Sequence, residues 1–332
     1  MKNTSKVISF VMGLILIMVL VGCGNASNGE SGSGEFQIDE DITMYVPFSV
    51  GGALDVRARV IATFLEEELG VNITVENPTG AGGVVGIAEF LNQGGPYDLM
   101  FSDVNTTLGL TPQVTDTPWS PDDLQPVISL DREQFGLFTN PEETNISSFE
   151  DLVEYGESNQ IQFGSGGPGN ITHLLQDALY TSLGLEAETI PHNGAQEGLT
   201  NALGGHNDVT LAGLKLAEQF VEDGRLTPIL TFSENEYTDY EGVDPVPPVS
   251  SIANEGDFVY ESLMAFSMKS STEPEAVEAM YNAISNVYEN PDAMAELENV
   301  NVEEITEMNA EEISNELEEK TAAMEAMLEL TE

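Results

Sequence analysis

Residues Tyr45 to Phe90 carry one local device twice, and it admits few folds: a short alternating strand, a glycine turn, then an amphipathic helix. In the first copy Ile42, Met44 and Val46 alternate with polar residues, which predicts a half-buried strand. Gly51-Gly52 follows, and Leu54, Ala58, Ile61 and Leu65 then fall on one helical face. In the second copy Val71, Ile73 and Val75 alternate, Gly80-Ala81-Gly82-Gly83 turns the chain, and Val84, Ile87, Ala88 and Leu91 form the helix face. A third apolar strand, Tyr97 to Phe101, ends in Ser102, Asp103 and Asn105. Strand, helix, strand, helix, strand predicts a parallel sheet with right-handed crossovers. Ligands of such sheets sit beyond the carboxyl ends of the strands. Here those ends are Ser49–Gly52, Gly80–Gly83 and Ser102–Asn105.

A helix N-terminus offers backbone N–H groups without intrahelical partners and the positive end of the helix dipole. Glycine lets a ligand approach that backbone closely. One such turn is simply a tight strand-to-helix connection. The device returns, however, at Ile161–Asn170, where Phe163-Gly164-Ser165-Gly166-Gly167-Pro168-Gly169-Asn170 precedes a helix carrying Leu174, Leu175, Ala178 and Leu179. Three turns of this kind predict a pocket for a small anion. The anion is expected on backbone N–H groups at Gly51, Gly52, Gly82 and Gly83 from one side and at Ser165, Gly166 and Gly169 from the other. Ser102 and Thr172 are the expected hydroxyl partners, and Asp55 the residue that holds the first loop shut.

The termini set the compartment. Lys2 and Lys6 precede an apolar run from Val7 to Val21, and Leu20-Val21-Gly22-Cys23 ends it. This predicts a lipoprotein signal peptide over 1–22, cleavage before Cys23, lipid on its thiol, and an extracytoplasmic protein anchored to the cell membrane. A sole cysteine excludes an intrachain disulfide. Residues 23–37, rich in Gly, Ser and Asn, read as a flexible tether. Pro126–Thr139 and Phe258–Met268 read as strands passing between two domains, one of 38–139 plus 250–332 and the other of 140–249.

Charge narrows the partners. The net charge is −49, and without the leader 7 Lys+Arg face 58 Asp+Glu, a net of −51. Such a surface repels nucleic acid and anionic lipid. The apolar fraction of 41%, periodically placed, argues against disorder, so the acidity reads as adaptation to high salt. The thermal midpoint is therefore expected to rise with KCl; a midpoint unchanged between low and molar salt would defeat that reading. No calcium-loop pattern occurs, and His173, His192 and His206 lack metal-ligand spacing, so no metal and no cofactor is expected. Ser165 is not in a G-x-S-x-G elbow, because Phe163 occupies the first glycine position. Arg57 and Arg59, in the first helix, are expected to pair with nearby acids. The final helix from Asn309, rich in glutamate, reads as a solvated face.

The spacing Pro47-Phe48-x-x-Gly51-Gly52-x-x-Asp55-x-x-Ala58-Arg59, then Glu76-Asn77-x-x-Gly80-Ala81-Gly82-Gly83, resembles the substrate-binding receptors of tripartite tricarboxylate transporters, the Bug or TctC-like proteins. The likeness continues through Phe163-Gly164-Ser165-x-Gly167-x-Gly169-Asn170-x-x-His173-Leu174, Leu203-Gly204-Gly205-His206-Asn207-Asp208-Val209 and Gly224-Arg225-Leu226. It implies a two-domain α/β fold of the periplasmic-binding-protein or Venus-flytrap type, joined by two crossing strands. It implies a non-enzymatic monomer that holds a small carboxylate in the interdomain cleft and delivers it to the large and small membrane subunits of a permease. It also places Phe48, Val50, Asn105, Asn170, His192, Asn193, Gly194 and Ala212 around the ligand. The chain departs from the family pattern at Ala53, Leu54, Pro78-Thr79, His192 and Ala212. The competing class is a secreted enzyme acting on a small anionic metabolite, which would need an acid, base or nucleophile converging on the turns.

Overall fold

A computed structural model describes residues 36–167, 170–192, 194–252, 258–302 and 304–329. The chain divides into two units, Met1–Phe36 and Gln37–Glu332, and the second carries the fold. The expected leader, Cys23 and nearly all of the tether lie outside the described residues, as do Gly169 and Asn193.

The opening device forms as read: β1 (Ile42–Tyr45), α1 (Ala53–Leu69), β2 (Ile73–Glu76), α2 (Val84–Gln93) and β3 (Leu99–Asp103). β1 pairs in parallel with both β2 and β3. Helix α1 stops at Gly70, whose φ of 72° is the left-handed conformation that closes a helix. Its buried face holds Ala58, Ile61, Ala62 and Leu65 as the period demands, and also Asp55 and Arg57, which an apolar period does not foresee.

After a π-helical stretch at Asn105–Leu110, the sixteen-residue β4 (Leu124–Thr139) passes between the lobes. Leu124 to Gln134 pair with β9 (Glu261–Lys269). From Phe135 onward β4 pairs instead with β7 (Val209–Gly213) and β8 (Thr227–Thr231). The chain returns at Tyr260, whose N–H donates to Phe232 O at 2.8 Å, and β9 begins at the next residue. The second lobe contains α3 (Phe149–Gly156), β5 (Ile161–Ser165), α4 (Ile171–Ser182), β6 (Ala187–Pro191), α5 (Ala195–Leu203) and α6 (Leu214–Glu222). The continuous sheet runs β2-β1-β3-β9-β4-β7-β5-β6, with β8 on β4. Helix α3 is capped by Ser148, whose Oγ accepts from Asp151 N–H at 3.1 Å.

α7 (Pro274–Tyr288) and α8 (Pro291–Glu298) lead to the last helix, α9 (Ala310–Glu329). α9 serves both lobes. Ile313 packs with Tyr45, Ile87, Phe90 and Leu263 of the first, whereas Met324 and Met327 pack with Phe135, Phe163 and Leu175 of the second. Its glutamates are not all solvated: Glu316 receives bonds from both terminal nitrogens of Arg132 on β4, and hydrogen bonds from Arg132 hold its carboxyl below the usual range against the effect of burial.

Register fixes how the two sets of turns face each other. Asp103 at the end of β3 is opposite Met264, which is opposite Asp131 of β4, while Gly213 at the end of β7 is opposite Phe135. The carboxyl ends of β3 and β7 therefore lie four residues apart along β4, roughly 13 Å at strand rise.

Candidate functional site

The first turn is closed from within. Gly51 N–H donates to Asp55 Oδ2 at 2.7 Å and Gly52 N–H to Ser49 O at 3.0 Å. Asp55 also receives Arg59, with Nε at 3.1 Å and Nη2 at 2.8 Å. Burial opposes its charge, but Arg59, Gly51 N–H and Asn77 hold the Asp55 carboxyl below its ordinary value. Arg59 Nη2 reaches Asn77 Oδ1 at 3.1 Å, and Asn77 Nδ2 donates to Phe48 O at 3.0 Å. One chain of polar contacts thus ties the first turn to the end of β2.

The second turn is brought against the first. Gly83 has φ +100°, and a Cβ there would lie 3.3 Å from Thr107 Cγ2 and 3.7 Å from Pro47 Cβ. Gly83 N–H donates to Gly80 O at 3.1 Å, while Gly82 N–H has no acceptor among the described residues. Val50, 71% exposed, and Val85, 47% exposed, are the exposed large apolar side chains among the described residues, and each adjoins one of these turns. Ser102 is buried, with Oγ 3.0 Å from Thr107 Oγ1. Asn105 is drawn elsewhere: its Nδ2 donates to Glu261 O at 3.1 Å, at the crossing strands, and toward Glu316 at 3.4 Å.

In the second lobe Asn170 caps α4, accepting from Thr172 N–H at 3.0 Å and Thr172 Oγ1 at 2.8 Å. Thr172 Oγ1 in turn accepts from Gly166 N–H at 2.9 Å, and Gly167 N–H donates to Ser165 Oγ at 3.0 Å. Ser165 Oγ is 2.7 Å from Thr189 Oγ1, so its hydroxyl faces another hydroxyl and not a base. His192 N–H donates to Ser165 O at 2.8 Å. Its ring is buried against Gly198, and both ring nitrogens lack hydrogen-bond partners among the described residues. Burial pulls the His192 pKa below its ordinary value, with Glu197 opposing, so the ring is neutral near pH 7. Gly194 caps α5. Ala212 is fully buried with Phe138, Leu199, Leu214 and Ala217, so its methyl belongs to the core.

These contacts revise how an anion can be met. The N–H groups of Gly51, Gly52, Gly83 and Gly166 are spent on the turns themselves, and so are the hydroxyls of Ser102 and Thr172. The reason is local: Asp55, Thr172 and Asn170 lie within reach of turn donors that a glycine pattern leaves nominally free. Ala53 and Leu54 in the first turn of α1, Gly82, and Ile171 at the start of α4 have N–H groups without acceptors among the described residues.

Both helix arginines are paired. Arg59 binds Asp55, and Arg57 Nη1 lies 3.2 Å from Asp131 Oδ2 with both side chains buried. Burial raises Asp131 to about 7, with Arg57 partly opposing. An ordinary carboxyl titrates near 3.9 when unfolded, so between about pH 4 and pH 7 the native state binds the extra proton. Asp131 therefore contributes stability that is full below the unfolded value and lost as pH rises through about 7, on the order of 4 kcal/mol. Asp131→Asn is expected to flatten the change in urea midpoint between pH 4.5 and 8; an unaltered slope would refute the assignment.

Asp103 is a residue that the glycine pattern undervalued. It is buried and accepts from Leu263 N–H at 3.2 Å, Ser262 Oγ at 2.7 Å, Tyr260 OH at 3.1 Å and Thr106 N–H at 3.3 Å, and from the Thr106 hydroxyl. The available signal was a carboxylate ending an apolar strand with a threonine three residues on.

Residues 57–331 match the profile of the family described as tripartite tricarboxylate transporter family receptor. The chain is 27% identical over 244 residues to protein BugT of Bordetella pertussis, covering 71% of this chain and 72% of that one. Two solved structures of Rhodopseudomonas palustris proteins share the bilobed fold. Rpa4515 with adipate has TM-score 0.73 and 20% identity, covering 88% of this chain and 97% of that one. MatC with bound malate has TM-score 0.70 and 18% identity, covering 89% and 99%. The chain belongs to the tripartite tricarboxylate transporter receptors, extracytoplasmic, non-catalytic solute-binding proteins that deliver small carboxylates to a membrane permease.

Proposed function

We propose that this receptor captures its carboxylate between the turns of the two lobes and holds it by neutral groups. The observation that carries this reading is the set of first-turn N–H groups at Ala53, Leu54 and Ile171, with Gly82, that have no acceptor among the described residues, beside turns from which both helix arginines have been withdrawn into ion pairs. Backbone dipoles fixed in place stabilise an anion without reorganising. Phe48, Val50, Gly51, Gly52 and Gly83 line the first-lobe side, with Asp55 closing the loop. Ser165, Gly166, Asn170, Thr172 and Gly194 line the other side, with His192 supplying a neutral ring donor. Val50 and Val85 are placed to meet the apolar stem of the solute. Ser102 shapes the first-lobe wall from behind, Asn105 steadies the crossing strands, and Ala212 acts through the second-lobe core.

Two further parts of the reading concern delivery. Cys23 carries the lipid that anchors a monomer to the membrane, and the closed lobes dock on the large and small permease subunits. Malate and adipate, bound in the two structural relatives, are the first solutes to try. A ligand touching both lobes favours the closed state. Mass spectrometry of solute released from gently purified protein should find a small carboxylate, and small-angle scattering should show a smaller radius of gyration once it is added back. A neutral or cationic solute in that fraction would overturn the carboxylate reading.

A further inference from the structure

A cavity of about 290 Å³ lies apart from the glycine turns, lined from the first lobe by Arg57, Asp131 and Glu304 and from the second by Leu214 and Lys215, with Glu133 between them on β4. None of its lining residues belongs to the three turns. Its walls hold charges whose hydrogen bonds are unmade. Arg57 and Asp131 side chains are only 4% and 5% exposed, and beyond their 3.2 Å Nη1–Oδ2 ion pair Arg57 Nε and Asp131 Oδ1 have no hydrogen-bond partner among the described residues. Glu133, two residues along the same strand, brings Oε1 against Gly213 at the start of α6, 2.3 Å from where a Cβ would stand. Burial raises its carboxyl pKa, with Arg57 opposing.

Buried donors and acceptors of charged groups are costly when left unsatisfied. The signs in this cavity decide what can satisfy them. A simple anion would suit Arg57, Arg132 and Lys215 and be repelled by Asp131, Glu133, Glu261 and Glu304. A simple cation would suit the carboxylates and be repelled by the three basic side chains. Among the described residues no group of three His, Cys, Asp or Glu is arranged to hold a metal ion. A molecule bearing both charges meets both walls, and the volume lies at the small end of ligand pockets.

We propose that this cavity is a second solute site, taking a small zwitterion of amino-acid size with its carboxylate on Arg57 and its ammonium on Asp131 and Glu133. The site stands independently of what the glycine turns bind. The test is calorimetry with glycine, L-alanine and L-glutamine, and with acetate and methylammonium as half-molecules. At least one amino acid should bind the wild type, with each half-molecule weaker by about tenfold or more. The double variant Arg57→Leu/Asp131→Leu removes both buried charges together, a change that cores often tolerate. It should lose the amino acid while keeping its circular dichroism, and Gly83→Val should retain it. Should the double variant not fold, Glu133→Gln provides the second arm, with amino-acid affinity falling about tenfold or more and acetate unchanged. Amino-acid binding that is lost in Gly83→Val but intact in the double variant or in Glu133→Gln would overturn the proposal. So would the absence of binding by all three amino acids to folded wild type, which would leave the cavity to water.

Discussion

Asp103→Ala is expected to cost about 3–5 kcal/mol of folding stability, because it leaves several buried donors without an acceptor at about 1–3 kcal/mol each, less what relaxation recovers. That is a large share of the roughly 5–15 kcal/mol that a folded domain has in hand. The carboxylate ends β3 and collects donors from Leu263, Ser262, Tyr260 and Thr106, so it fastens the first lobe to the strand by which the chain returns. Burial pushes its pKa up while those hydrogen bonds oppose the shift. Alanine leaves the Leu263 N–H, the Ser262 hydroxyl and Thr106 N–H with no acceptor in a site closed to water, though Tyr260 OH keeps Thr106 Oγ1 at 2.6 Å. Asp103→Asn retains one oxygen and should cost less. Urea denaturation with an unchanged m value reads both. A loss below about 1 kcal/mol for alanine would show that water reaches the site and that the fastening is weak.

Gly83→Val is expected to lower carboxylate affinity at least about a hundredfold, or roughly 2.7 kcal/mol. The backbone at Gly83 stands at φ +100°, where a β-branched residue is strained by about 1–3 kcal/mol. Its Cβ would also press on Thr107 Cγ2 at 3.3 Å. Relief requires the second turn to move away from Pro47 and Thr107, and with it the Gly82 N–H and the start of α2. Arg59→Ala makes the contrast. Arg59 is bonded to Asp55 and Asn77, so its loss should loosen the first turn and reduce stability while affinity falls less than about tenfold. Calorimetry on both variants decides; a harmless valine beside an alanine that eliminates binding would mean a charge clamp.

The parts of the fold legible in the sequence were those written in periodicity and glycine. β1 to β3, α1 and α2 follow from alternation, helical spacing and turns, and β4 and β9 followed as long apolar strands. What the sequence did not disclose depends on side chains meeting across the chain. Arg57 sits on the buried face of α1 because Asp131, on a strand laid down much later, supplies the counter-charge. Glu316 looked like one more solvated glutamate until β4 brought Arg132 beneath it. The turns were legible as turns, but not as sites whose N–H groups are largely engaged, because Asp55 and Thr172 reach back into them only in the folded geometry. α9 was read as part of the first lobe alone. Its early Ile313 and late Met324 and Met327 show that a helix this long serves two cores.

Salt separates dipole capture from charge capture most directly. The affinities of malate, adipate and citrate should be measured by calorimetry between about 0.3 M and 3 M KCl, where the Debye length shrinks to about 3 Å and below. Capture by fixed backbone dipoles in a shielded cleft predicts that at least one of them binds and that its Kd changes less than about threefold across the range. A Kd that weakens more than about tenfold as KCl rises, or no binding by any of the three, would contradict it.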